Sequence, residues 1–177
     1  MAIDAVCCKY LMPEQAGKLA QAIYLSDMGV WFNELLAANF PKPVVKEILK
    51  TEGYLSKEEL RERIKHMLAD TRKLEYVIDL MQSMNPYDPR KAGVDNDLEQ
   101  YAKIDKLPLE KVEAPTLVIH GTADADVKFE QARYAAEAIP GAEHYWIEGG
   151  THLAFFVSDE AEEAQWAAAD FLRRHLA

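Results

Sequence analysis

Two apolar runs, each leading into a glycine-bearing loop with one titratable residue, constrain this chain more than any other feature. Thr116-Leu117-Val118-Ile119 is short and β-branched, and it runs into His120-Gly121-Thr122-Ala123-Asp124. Such a run reads as a strand buried on both faces of a parallel sheet, where no polar side has to alternate with an apolar one. His144-Tyr145-Trp146-Ile147 reads as a second strand, followed by Glu148-Gly149-Gly150-Thr151-His152. Between them, Phe129, Ala132, Ala135, Ala136 and Ile139 share one face of a helical segment that Pro140-Gly141 ends. A last helix is expected from Ser158 onward, with Ala161, Ala164, Ala168, Phe171 and Leu172 facing inward. Strand, helix, strand, helix predicts an α/β fold with a parallel sheet covered on both faces.

Ahead of these runs the pattern changes. Residues 1–8 read as the end of a core strand entering a loop, 9–110 as a helical region, and 111–177 as the α/β part. Pro13 suits a first helical turn, and a helix is expected from there to Tyr24. Ser26-Asp27 starts another through Phe40, and Pro41 and Pro43 permit a new start. Gly53 closes the helix containing Val44, Val45, Ile48 and Leu49. Ser56-Lys57-Glu58-Glu59 has capping-box spacing, and Leu60, Ile64, Met67 and Leu68 fall on one face of the helix that follows. Leu74, Val77, Ile78 and Met81 mark a further amphipathic helix, and Asn85-Pro86-Tyr87-Asp88-Pro89 is a break. The Glu- and Lys-rich faces from Lys57 to Lys73 read as solvated helix surface.

Charge narrows the partners. Twenty Lys and Arg stand against 30 Asp and Glu, a net charge of −10, which argues against a nucleic-acid surface and an anionic membrane surface. No stretch approaches the roughly 20 apolar residues that cross a bilayer, and no basic segment leads into a long apolar run as a secretory signal would. The expectation is a cytoplasmic protein that uses no cofactor. Cys7 and Cys8 are adjacent and outside any metal-ligand spacing, so both are expected reduced.

In open α/β sheets the functional groups sit on loops beyond the carboxyl ends of the strands. Asp124 and His152 occupy two such loops, close enough to pair if their strands are neighbours. A buried carboxylate accepting from one imidazole nitrogen sets the tautomer and leaves the other nitrogen free to take a proton from a nucleophile. His120, at the end of a buried strand, reads as structural. His66, His144 and His175 read as surface residues, and no histidine pair has metal-ligand spacing.

The segments His120-Gly121-Thr122-Ala123-Asp124 with Val127, and Gly149-Gly150-Thr151-His152, resemble the α/β-hydrolase family of esterases, lipases and C–C hydrolases, in which the acid follows the seventh strand and the histidine the eighth. The resemblance implies Asp124 and His152 as catalytic residues and an ester-type small-molecule substrate. It also implies that Ala2-Ile3-Asp4-Ala5 ends the sixth strand and that the helical region is the cap inserted after it. Asp4 is then the position of a relocated acid in some relatives. Trp31, Phe32 and Val127 become substrate-facing candidates, although Met28, Trp31, Phe32, Leu35 and Leu36 at helical spacing also read as core.

The departure is equally informative. The family's nucleophile sits in G-x-S-x-G, and none of the four serines, Ser26, Ser56, Ser83 and Ser158, has glycine two residues to either side. No cysteine or aspartate supplies the pattern either. Two classes stay open: a serine hydrolase whose nucleophile lies upstream of this sequence, and a non-catalytic remnant acting as a binding or interaction module. In either case the sixth strand is expected to offer an open edge for self-association or for pairing with an N-terminal half.

Overall fold

A computed structural model describes residues 1–10 and 26–175; the helix expected over Pro13–Tyr24 lies outside them. In chain order the elements are β1 (Ala2–Ile3), α1 (Asp27–Asn39), α2 (Pro41–Glu52), α3 (Lys57–Ala69), α4 (Thr71–Ser83), α5 (Lys91–Tyr101), β2 (Leu117–Gly121), α6 (Phe129–Ala138), β3 (Glu143–Ile147), α7 (Ala154–Val157) and α8 (Ala161–His175). They divide into two compact units. The first comprises Met1–Leu11, Glu52–Tyr54 and Tyr101–Ala177, and the second Met12–Thr51 and Leu55–Gln100.

The first unit is built on a parallel sheet in the order β1-β2-β3. Ala2 pairs with Val118 and Ile3 with Ile119, while Leu117, Ile119 and Gly121 pair with Glu143, Tyr145 and Ile147. β2 is central and buried throughout, which is why its sequence shows no polar alternation. Successive side chains of a strand point to opposite faces. Leu117 and Ile119 accordingly pack with Ile147, Ala154, Ala164, Ala168 and Phe171. Val118 packs on the other face with Cys7, Ala132, Ala135 and Ile139. Small alanines on α6 and α8 let both helices lie close to the sheet. Leu172, expected inside, is exposed, and Ala164, Ala168 and Phe171 make the packed face of α8. α8 also starts at Ala161 rather than Ser158, with α7 standing before it.

The second unit is helical, and its elements follow from local chemistry. The Ser26 hydroxyl accepts from the Gly29 amide at 3.1 Å and starts α1. Ser56 and Glu59 form the expected capping box, with bonds of 3.3 and 2.8 Å, and Asp70 caps α4 through the Arg72 amide. Such a cap contributes about 1 kcal/mol. Val30, Ala37, Val44, Val45, Leu49, Ile64, Met67 and Val77 are buried, and α4 packs against both α1 and α3. The apolar stripe of α1 behaves differently. Met28, Trp31, Phe32 and Leu35 are exposed among the described residues, and Gly29, Val30, Asn33 and Ala37 make the buried face instead. No helix among the described residues is long and apolar enough to cross a membrane.

Candidate functional site

The site lies in the first unit, at the carboxyl ends of β2 and β3. The two loops are laced together by backbone: the Thr122 amide donates to the Ile147 carbonyl at 3.0 Å and the Ala123 amide to the Gly150 carbonyl at 2.9 Å. The approach is so close that a Cβ on Gly121 would lie 2.4 Å from the Gly150 carbonyl oxygen. Glycine there is a condition of the geometry. Gly149, at φ +62°, turns the histidine loop in the left-handed region that favours glycine.

Asp124 is almost fully buried and fully engaged. Its Oδ1 accepts from the Asp126 and Val127 amides at 2.8 and 2.9 Å. Its Oδ2 accepts from His152 Nδ1 at 3.0 Å. Nδ1 faces a carboxylate, so it carries the proton, and Nε2 is the nitrogen left for chemistry. Nε2 lies 3.6 Å from Asp126 Oδ2. Burial pulls the His152 pKa down, but the hydrogen bond to Asp124 and the charges of Asp124, Asp126 and Asp4 outweigh it and raise it to about 9.

Behind the pair stands a second imidazole. His120 is fully buried, and its Nε2 meets the Val127 carbonyl at 2.7 Å. A carbonyl only accepts, so Nε2 is the protonated nitrogen; it also lies 3.3 Å from Asp124 Oδ2. Nδ1 faces Asp4 Oδ1 at 3.3 Å without an aligned hydrogen bond. Burial pushes the Asp4 carboxyl up to about 7, so it is largely protonated only below that pH, and lowers the His120 pKa, which favours the neutral imidazole. His120 therefore supports the acid loop from behind, as its strand-end position suggested.

The largest surprise is Glu52-Gly53-Tyr54. The Glu52 carbonyl accepts from the Ala125 and His152 amides at 3.1 and 3.0 Å, and the Tyr54 amide donates to the Ala123 carbonyl at 2.8 Å. This short segment clips the two loops from outside. The Glu52 carboxyl is itself raised to about 7, by burial first and then by the neighbouring Asp126 and Asp124 charges. The Tyr10 hydroxyl donates to Asp126 Oδ1 at 2.5 Å. Neither Glu52 nor Tyr10 carries a local signal, because these partners are 73 to 116 residues away. Gly53 was legible only as a helix stop.

Ligand atoms of Asp4, Asp124 and His152, and of Glu52, Asp126 and His152, lie within 4.8 Å of one another, close enough in each set to hold a cation. Since Nδ1 of His152 is committed to Asp124, only Nε2 could serve. Val127 is buried, with its amide on Asp124 and its carbonyl on His120, so it positions the acid loop and offers a substrate little surface. Trp31 and Phe32 belong to the second unit, where both are about half exposed.

No protein-family model matches the chain, and no curated protein sequence does. Solved structures do. The chain is similar to an α/β-hydrolase-fold protein from Nakamurella multipartita, with 39% identity and a TM-score of 0.87 over 97% of this chain and 59% of that one. It shares its fold with a bromoperoxidase from Bacillus anthracis, with 24% identity and a TM-score of 0.51 over 97% of this chain and 56% of that one. A thermophilic esterase from Thermogutta terrifontis matches with 19% identity and a TM-score of 0.50, over 98% of this chain and 55% of the esterase. The chain thus spans somewhat more than half the length of the structures it matches, and its fold is that of the C-terminal part of an α/β-hydrolase.

Proposed function

We propose that this chain supplies the acid and histidine half of a serine-hydrolase site, with Asp124 orienting His152 as the general base in cleavage of an ester or related bond. The observation that carries the reading is the 3.0 Å bond from His152 Nδ1 to an Asp124 carboxylate already held by two amides. An imidazole fixed in this way takes the proton of an attacking hydroxyl at Nε2 and returns it to the leaving group, by way of a covalent acyl intermediate. The surroundings that raise His152 to about 9 favour the imidazolium, the form present while the tetrahedral intermediate exists. They also leave the base mostly protonated at neutral pH, so activity of the assembled site should rise as pH approaches 9.

The nucleophile and the oxyanion donors are expected upstream of residues 1–177, because no serine, cysteine or aspartate here has the elbow's flanking glycines. Among the described residues β1 pairs only with β2, and its other edge is where a complementary half would add its strands. The chain alone should not turn over p-nitrophenyl esters; turnover that disappears in His152→Ala would overturn that expectation. Supplying the remaining portion of the Nakamurella multipartita protein in trans should restore turnover, with loss of it in Asp124→Ala and His152→Ala. Stable assembly of the two polypeptides without turnover would instead favour the binding-module reading.

A further inference from the structure

The second unit holds a feature that the Asp124–His152 site does not use. Lys42, Lys46 and Lys50 stand at intervals of four along α2, and Lys57, Arg61 and Lys65 repeat the interval along α3. Four residues is one helical turn, so each set forms a row along one side of its helix. The two rows border a single open groove of about 830 Å³. Leu60, Ile64 and Leu68, again four apart, supply its apolar lining. Like charges one turn apart repel and weaken a helix, and this chain repeats that cost on both helices that line the groove while carrying a net charge of −10.

Neutralisation within the unit is incomplete. Lys50 pairs with Glu47 at 3.1 Å and Arg61 reaches Glu62 at 3.9 Å. Lys42, Lys46, Lys57 and Lys65 have no carboxylate partner among the described residues, and all four are exposed. A solvated helix surface, as these faces read in isolation, would mix its signs around each lysine. Here the cations gather on the groove, with the apolar residues between them.

We propose that this groove binds a linear alkyl chain ending in an anionic head, a long-chain carboxylate being the representative ligand. The floor takes the chain and the rows take the head. The volume falls within the range of small-molecule pockets, roughly 300–1,000 Å³. Charge complementarity excludes a cationic head. The apolar floor disfavours a bare inorganic anion, and the absence of aromatic residues from the lining among the described residues disfavours a nucleobase. A bilayer surface fits less well, because the cations border a recess on a protein whose overall charge opposes an anionic membrane.

The test is calorimetric titration of the full 177-residue chain with dodecanoate below its micelle concentration. Dodecyltrimethylammonium serves as the control with the same chain and the opposite head. Dodecanoate should bind saturably at one site, at least tenfold more tightly than the cation, and more weakly as salt rises. Octanoate should bind less tightly than dodecanoate. The double charge reversal Lys46→Glu with Lys65→Glu should weaken dodecanoate at least tenfold with an unchanged circular dichroism spectrum. If that variant fails to fold, Lys46→Gln with Lys65→Gln makes the same comparison, and the two head groups on the unaltered chain decide independently. Absence of saturable binding, equal affinity for both heads, or an unaffected folded variant would each overturn the proposal. So would co-sedimentation with phosphatidylglycerol vesicles in the absence of dodecanoate binding, which would assign the cations to a membrane surface.

Discussion

The two units bury different things. Among the described residues, the unit around the sheet buries Thr116, His120, Asp124, Gln131, Thr151 and Ser158, whereas the helical unit buries Asn33 and the Tyr87 hydroxyl. Asn33 is satisfied within its own helix, by donating to the Gly29 carbonyl four residues back. The buried groups of the sheet unit reach much further: His152 to Asp124 across 28 residues, and Gln131 to the Cys7 amide across 124. A buried polar group has to be paired, because leaving it unsatisfied costs about 1–3 kcal/mol. The sheet unit can therefore form its site only when distant pieces of chain arrive together, while the helical unit satisfies the Asn33 amide and its helix caps from neighbours in sequence. That contrast can be tested variant by variant.

The hardest blow to the sheet unit is Asp124→Ala. It orphans the Asp126 and Val127 amides and removes the partner of His152, so the loss should be about 3–5 kcal/mol, as when one member of a buried pair is removed. The His152 titration, followed by NMR, should fall from about 9 to the ordinary imidazole range or below it. A His152 that still titrates near 9 in this variant would mean that Asp126 and Asp4, not Asp124, set its charge.

Gly121→Ala comes next. The new Cβ meets backbone on the facing loop, at 2.4 Å from the Gly150 oxygen and 2.7 Å from the Thr151 oxygen, and overpacking of this kind costs about 1–3 kcal/mol. Hydrogen exchange resolved by peptide should show deprotection around residues 117–152, with the peptides of α3 and α4 unchanged. Equal deprotection of both regions would show that the units do not unfold separately.

A pH series sharpens the same contrast. Asp4 and Glu52 hold protons up to about 7 in the folded chain, against reference values of 3.8 and 4.5. His152 holds its proton to about 9, against 6.5. In each case the folded state binds more protons than the unfolded state within its window, so stability should fall as pH rises from about 4 to 9. His120, lowered by burial, acts in the opposite sense below its reference value of 6.5 and offsets part of the decline there. Denaturant midpoints at pH 5, 7 and 9 measure the slope, and Glu52→Gln should flatten its acidic half. A slope that Glu52→Gln leaves unchanged would remove Glu52 from this account.

The smallest effect belongs to the helical unit. Ser56→Ala removes one arm of the capping box and should cost about 1 kcal/mol, read as faster exchange in the first turn of α3 alone. Spread of that effect into the loops of Asp124 and His152 would contradict the locality seen in the caps.

What the sequence determined by itself was whatever depends on neighbours and periodicity. β2 was legible because a strand buried on both faces needs no polar alternation, and α3 because Ser56 and Glu59 stand three apart. Asp124 and His152 were legible because consecutive parallel strands place their following loops at one edge of the sheet. The stripe of Trp31 and Phe32 misled a reading based on spacing, since periodicity identifies a face but not what covers it. Only the tertiary structure decided that Glu52 and Tyr54 clip the two loops, that Tyr10 anchors Asp126, and that Asp4 faces His120. Each of these contacts joins groups separated by many residues, and nothing in the local chain distinguishes a glutamate destined for solvent from one whose backbone will hold a histidine loop in place.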